Sequence, residues 1–258
     1  MEETAYAKIN LALSVRGRRT DGFHEIDTLF AFAEEGDRLS VAEGQALSLR
    51  VVGPFAAELP TNEQNLVLRA AQLLGGGRGA ALTLDKRLPV AAGIGGGSAD
   101  AAAALRLLSR WWALDAADSD LGDLARQLGA DVPACLLSRT VRGTGRGDLL
   151  EPADTDEAGA PLLLVNPGVK LSTADVFRRW RGEPSTGNDL EPPARALVPA
   201  IGDVLEALRA RPGARLVRMT GSGATCFATF ESEAARDAAA AAIAAARPAW
   251  WQLATRLR

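Results

Sequence analysis

Lys86-Arg-Leu-Pro-Val-Ala-Ala-Gly-Ile-Gly-Gly-Gly-Ser-Ala-Asp-Ala-Ala-Ala-Ala-Leu105 is the stretch on which the reading of this chain turns. Four glycines (Gly93, Gly95, Gly96, Gly97) run into Ser98 and an alanine-rich segment with helical character. Glycines let a backbone approach a ligand with its N–H groups turned inward. A helix start adds uncapped N–H groups and the positive end of a dipole. The combination reads as an anion cradle, and the commonest anion needing one is a nucleotide phosphate.

Three better-known phosphate loops do not fit. A P-loop requires Gly-Lys-Ser/Thr, and no lysine follows Gly97. A dinucleotide fingerprint needs a third glycine where Ser98 stands, close behind the first strand. A protein kinase carries H-R-D and D-F-G motifs; the chain has no H-R-D, and Asp21-Gly22-Phe23 has the wrong order. A flexible Gly/Ser linker is the plain alternative. It accounts poorly for a strand-like TLDKRLPV before the glycines and a helix after them.

Composition narrows the chemistry. At 258 residues the chain has room for one large or two modest domains. A net charge of −3 argues against a nucleic-acid or membrane-surface partner. No segment reads as membrane-spanning, and MEETAYAKIN lacks a signal peptide's basic and apolar regions, so a cytoplasmic protein is expected. The two cysteines, Cys135 and Cys226, lack metal-ligand spacing and read as buried free thiols. The single histidine, His24, excludes multi-histidine metal sites and makes a Ser-His-Asp hydrolase a poor reading.

Periodicity predicts a first strand over residues 5–15. Ala5, Ala7, Ile9, Leu11 and Leu13 fall on one face, and Lys8, Asn10, Ala12 and Ser14 on the other. Short strands are expected at 27–32, 38–42 and 46–52, a helix at 65–74 and a strand at 80–86. Helices follow at 98–112 and 119–128. The Pro/Gly/acid-rich stretch 151–161 marks a domain boundary. Beyond it come a strand (161–165), helices (174–180, 194–211), strands (215–220, 226–230), a helix (234–246) and a final strand (250–257). That is a ferredoxin-like order.

Two further motifs stand out. In Gly129-Ala-Asp-Val-Pro133, Asp131 reads either as the cap of a short helix with Pro133 in its first turn, or as a functional carboxylate. Thr220-Gly-Ser-Gly-Ala-Thr225 reads either as a plain hairpin turn or as a second ligand-facing glycine turn.

Taken together, the glycine loop, the first-strand motif and the Gly-Ser-Gly-Ala turn resemble the GHMP kinase superfamily. The segment AKINLALSVRGRRTDGFHEIDTLF (7–30), with NLVLRA (65–70), GADVP and NDLE (188–191), is similar to the branch whose acceptor is a cytidine diphosphate sugar alcohol. The resemblance implies transfer of the γ-phosphate of ATP to the tertiary hydroxyl at carbon 2 of a methylerythritol unit, on the non-mevalonate route to isoprenoids. It implies a two-domain α+β fold, with an N-terminal ATP-binding domain (1–152) like ribosomal protein S5 domain 2 and a ferredoxin-like C-terminal domain (153–258). By the same resemblance Asp131 is the base and Lys8 the cation that attracts the γ-phosphate. Asn65, Leu66, Lys86, Pro89, Gly93, Gly95, Gly96, Gly97 and Ser98 bind ATP. Asn10, Phe23, His24, Phe30, Thr173 and Phe177 bind the acceptor, with Phe23 standing where tyrosine is usual. Mg²⁺ is expected with ATP, its ligands left open, and a monomer or weak dimer is expected. The competing readings are a kinase for another small alcohol, such as homoserine or mevalonate, and a nucleotide-binding or RNA-binding module on an S5-like fold.

Overall fold

The computed structural model describes residues 1–114 and 118–258. Its first two strands are long: β1 (Glu2–Arg18) and β2 (His24–Ala42) pair with each other. The sequence suggested two short strands in place of β2, because the charged EEGD run at 34–37 looks like a break. The strand continues through it because Asp37 is wholly buried, its carboxylate accepting from the Arg87 and Leu88 amides at 2.6 and 2.8 Å.

Chain contacts divide the protein into two units, Met1–Lys8, Glu35–Val90 and Gly95–Ser138 in the first, and Ile9–Glu34, Ala91–Ile94 and Arg139–Arg258 in the second. In the first unit, β3 (Leu47–Val52), α1 (Leu66–Gly75) and β4 (Ala80–Asp85) form a crossover that places β3 and β4 parallel. Residues 38–42 of β2 lie antiparallel to β4. Helix α2 (Gly96–Trp111) buries Ala99, Ala101, Ala102, Ala103, Ala104, Leu105, Leu107 and Leu108. Its alanines combine high helix propensity with little bulk, so neighbouring helices can approach closely. Helices α3 (Asp118–Leu128) and α4 (Val132–Leu137) complete this unit.

In the second unit, residues 26–30 of β2 pair with β5 (Val141–Gly145), which pairs with β6 (Leu149–Pro152). Neither β5 nor β6 was foreseen, since both are short and interrupted by glycine or charge. The remainder is a four-stranded sheet in the order β10-β7-β9-β8, built from β7 (Pro161–Asn166), β8 (Ala214–Met219), β9 (Cys226–Phe230) and β10 (Trp251–Arg256). All three pairings are antiparallel, the order expected of a ferredoxin-like unit. Helix α5 (Thr173–Arg179), α6 (Glu191–Leu197) and α7 (Ala200–Arg209) connect β7 to β8, and α8 (Glu233–Ala246) connects β9 to β10. The single helix expected over 194–211 is two helices, because Pro199 lacks an N–H and its ring breaks the ladder. Among the described residues no helix is long and apolar enough to cross a membrane.

Candidate active site

Strict alternation on β1 would leave Lys8 and Asn10 on a half-exposed face. Instead every residue from 7 to 11 is buried, Lys8 and Asn10 included. A buried lysine must be paired. Its Nζ lies 3.4 Å from Asp131 Oδ2, with the lysine side chain 3% exposed and the aspartate 39%.

Asp131 occupies the N-cap position of α4, with Pro133 in the first turn, as a capping role would require. Its side chain nevertheless makes no capping hydrogen bond. The backbone position of a cap is there, but the carboxylate is turned to Lys8. The far end of α4 is fixed by Arg106 of α2, whose guanidinium donates to the Cys135 and Leu136 carbonyls, and to Thr4 O and Glu3. Arg106 escaped the sequence reading because an arginine on an alanine-rich helix looks like an ordinary solvated residue.

The glycine loop meets this pair directly. Gly95 has φ +64°, and a Cβ there would lie 2.8 Å from Lys8 Cε. Only glycine therefore lets the loop turn into α2 with the lysine stem packed against it. No side chain caps α2, so the N–H groups of Gly96, Gly97 and Ser98 head the helix without a side-chain acceptor. Leu66 borders the loop: a Cβ on Gly97 would stand 3.6 Å from its Cδ1. Asn65 caps α1, accepting from Val67 N at 2.9 Å and donating to Pro60 O at 2.8 Å. Pro89 is half-buried in the segment that enters the loop. Lys86 lies beneath the loop, its Nζ 2.6 Å from Asp37 Oδ2 and 2.7 Å from Asp100 Oδ2.

In the second unit, Asn10 donates from its amide N–H to Thr220 Oγ1 at 2.9 Å and from Nδ2 to Thr28 Oγ1 at 2.8 Å. Thr220 begins the glycine turn between β8 and β9, so that turn is more than a plain hairpin. It interlocks with Gly93 (φ +75°), where a Cβ would lie 2.6 Å from Gly223 O and 2.8 Å from Thr220 O. Asn188 fastens the turn from another side, donating Nδ2 to the Met219 and Gly221 carbonyls at 2.8 and 2.9 Å. Within the turn the Ser222 hydroxyl lies 2.8 Å from that of Thr173.

The aromatic residues divide into two groups. His24 stacks on Phe177, with ring centroids 4.6 Å apart and planes 24° apart, and Trp180 meets His24 edge-on at 6.0 Å. Burial, and then the charge of Arg18, hold the His24 imidazole below its ordinary pKa. Phe23 stands apart, 51% exposed, with the Arg146 guanidinium 5.1 Å above its ring. Phe30 is wholly buried, close to Gly143 and Gly147. Trp180 and Arg146 were missed by the sequence reading. Trp180 could have been found, since it follows Phe177 by three residues, one helical turn.

Comparison with known proteins gives the family. The pattern of the GHMP kinases N terminal domain matches residues 65–139, and that of the GHMP kinases C terminal domain matches residues 176–249. The chain is 56% identical to 4-diphosphocytidyl-2-C-methyl-D-erythritol kinase of Rhizorhabdus wittichii, covering 99% of this chain and 94% of that one. It is 50% identical to the enzyme of that name from Novosphingobium aromaticivorans, covering 100% and 93%. A crystal structure of 4-(cytidine 5'-diphospho)-2C-methyl-D-erythritol kinase superimposes with a TM-score of 0.83 at 37% identity, covering 100% of this chain and 99% of that one. Homoserine kinase of Cytophaga hutchinsonii shares the fold alone, with a TM-score of 0.69 at 18% identity. The chain belongs to the GHMP kinase family, on the branch of the 4-diphosphocytidyl-2-C-methyl-D-erythritol kinases.

Proposed function

We propose that this chain transfers the γ-phosphate of ATP to the 2-hydroxyl of 4-diphosphocytidyl-2-C-methyl-D-erythritol, giving the 2-phosphate and ADP, a step in making isoprenoid precursors. The observation that carries the reading is the Lys8–Asp131 pair beside Gly95. A buried cation, a solvent-reaching carboxylate and a helix start rich in free N–H groups are what phosphoryl transfer to an alcohol asks of a protein.

In this reading the amides of Gly96, Gly97 and Ser98 hold the phosphates, with Gly93, Gly95 and Pro89 shaping the loop. Asn65 and Leu66 border the nucleotide, and Lys86 supports the loop from beneath through its buried pairs with Asp37 and Asp100. Asp131 accepts the proton of the attacking hydroxyl while Lys8 stabilises charge on the moving phosphoryl group. Mg²⁺ enters as part of the nucleotide substrate. Among the described residues no cluster of three or more His, Cys, Asp or Glu is placed to hold it independently.

Phe177 and His24 offer flat faces for the cytosine, with the exposed ring of Phe23 and the buried ring of Phe30 as further residues on the acceptor side. Asn10 and Thr173 face the polyol and diphosphate. Neither homoserine nor mevalonate has a base to stack, which favours the cytidylated acceptor. We further place residues 1–152 as the ATP-binding domain and 153–258 as the ferredoxin-like domain, in a cytoplasmic monomer or weak dimer.

The test is ADP release by the purified protein given ATP and the cytidylated acceptor, with homoserine and mevalonate as controls. Turnover with the cytidylated acceptor alone is expected; its absence removes the assignment.

A further inference from the structure

The kinase reading leaves one buried carboxylate without a task. Asp100 lies on α2, four residues and so about one turn beyond Gly96. It is 2% exposed. Its Oδ2 accepts from Lys86 Nζ, but its Oδ1 has no hydrogen-bond partner. A buried carboxylate oxygen without a donor carries its full desolvation cost.

The neighbouring charges make that oxygen more unusual. Lys86 is shared between two carboxylates, so the buried cluster carries one net negative charge when all three groups are ionised. Asp37 has donors on both oxygens: the Arg87 and Leu88 amides on Oδ1, and Lys86 on Oδ2. Oδ1 of Asp100 is the bare oxygen of the cluster. The cluster lies directly under the loop, since a Cβ on Gly96 would stand 3.0 Å from Lys86 Nζ. A loop built to hold anions therefore rests on a cluster with surplus negative charge.

We propose that Asp100 takes up a proton on Oδ1 when nucleotide phosphate occupies the loop, so that nucleotide binding and proton uptake are linked. The proposal rests on the kinase reading of the loop. The proton comes from solvent and forms an O–H bond at Oδ1, while Oδ2 keeps Lys86. Bringing phosphate charge above the cluster disfavours the ionised form, and neutralising Asp100 relieves the repulsion.

The surroundings suit this role. Burial pushes Asp100 up to about 7, the charge of Lys86 opposes the rise, and that of Asp37 adds to it. For Lys86, burial lowers the pKa, but the charges of Asp100 and Asp37 outweigh it and raise it, so the ammonium persists. From α4 the Cys135 thiol feels the charge of Asp100. Burial, and then Asp131, push that thiol up to about 12, with Lys8 and Arg106 opposing, so it stays protonated. Near neutrality, then, Asp100 is the group of this cluster whose proton occupancy an arriving anion changes.

The experiment is calorimetric titration of the full-length protein with ATP alone, acceptor omitted, at pH 8 in two buffers of different ionisation enthalpy. The wild type is expected to take up about half a proton or more per nucleotide. Asp100→Asn, which keeps an acceptor for Lys86 but cannot take the proton, is expected to take up almost none. Between pH 7 and pH 9 the wild-type Kd for nucleotide weakens several-fold more than that of the variant. Should the variant not fold, the wild type decides alone. ATP binding without proton uptake, or equal uptake by both proteins, overturns the proposal and leaves the kinase reading standing. Absence of ATP binding overturns both.

Discussion

Lys8 Nζ stands 3.4 Å from Asp131 Oδ2, a nearly dry ammonium facing a carboxylate that reaches solvent. The cation is fixed by β1 and by the loop glycine packed against its stem, so the carboxylate is the partner free to meet a substrate. Asp131→Asn removes the proton acceptor but keeps shape. Turnover is expected to fall by about 10²–10⁴-fold. ATP affinity, measured by calorimetry, stays within a few-fold of wild type. Activity close to wild type would remove Asp131 from the reaction.

Gly95→Ala tests the loop from the other side. The new Cβ has to sit at φ +64° and 2.8 Å from Lys8 Cε. The left-handed conformation alone costs about 1 kcal/mol, and the lysine stem must move as well. Both kcat and thermal stability are expected to drop. Gly97→Ala, with only Leu66 Cδ1 nearby at 3.6 Å, leaves the melting temperature within a few degrees of wild type. Equal loss of stability at the two positions would contradict the geometry.

The His24–Phe177 stack separates acceptor binding from nucleotide binding. Phe177→Ala is expected to raise KM for the cytidylated acceptor about tenfold, as loss of a base-stacking ring does, with KM for ATP little changed. His24 is held below its ordinary pKa, so it is neutral at pH 7 and gains charge as the pH falls below that of free histidine. Acceptor KM is therefore flat from pH 7 to 9 and rises in acid, and His24→Gln flattens the acid limb. A rise in KM on the alkaline side instead would contradict the sign.

The glycine loop, the Gly-Ala-Asp-Val-Pro motif and the ferredoxin-like order were legible because each rests on local rules: torsional freedom, helix propensity and alternation. What the sequence hid was non-local. Residues 34–37 look like a turn until Lys86 and the 87–88 amides are seen to satisfy Asp37. Asp131 looks like a helix cap until Lys8, over a hundred residues away, is found beside it. Asn188 could be marked as a landmark, but its two bonds to the carbonyls at 219 and 221 are invisible without the fold. Charged and amide side chains have many possible partners, and only topology selects among them.

Acid stability offers a test away from the reaction. Asp27 is held by Arg142, with a bidentate contact at 2.7 and 2.9 Å, and by Arg16 at 3.1 Å. The hydrogen bond from Arg142 is the main cause, opposed by burial and aided by Arg16, of a carboxyl lowered to about 2. A carboxyl lowered on folding adds stability that is full above its unfolded pKa of 3.8 and is lost as the pH falls toward 2. Both arginines are more than half exposed, so solvent screening cuts the effect to about 1 kcal/mol. Asp27→Asn is thus expected to lower the urea midpoint at pH 7 and to differ little from wild type near pH 2.5. A deficit of the same size at both pH values would mean that packing, and not the ion pair, accounts for the loss.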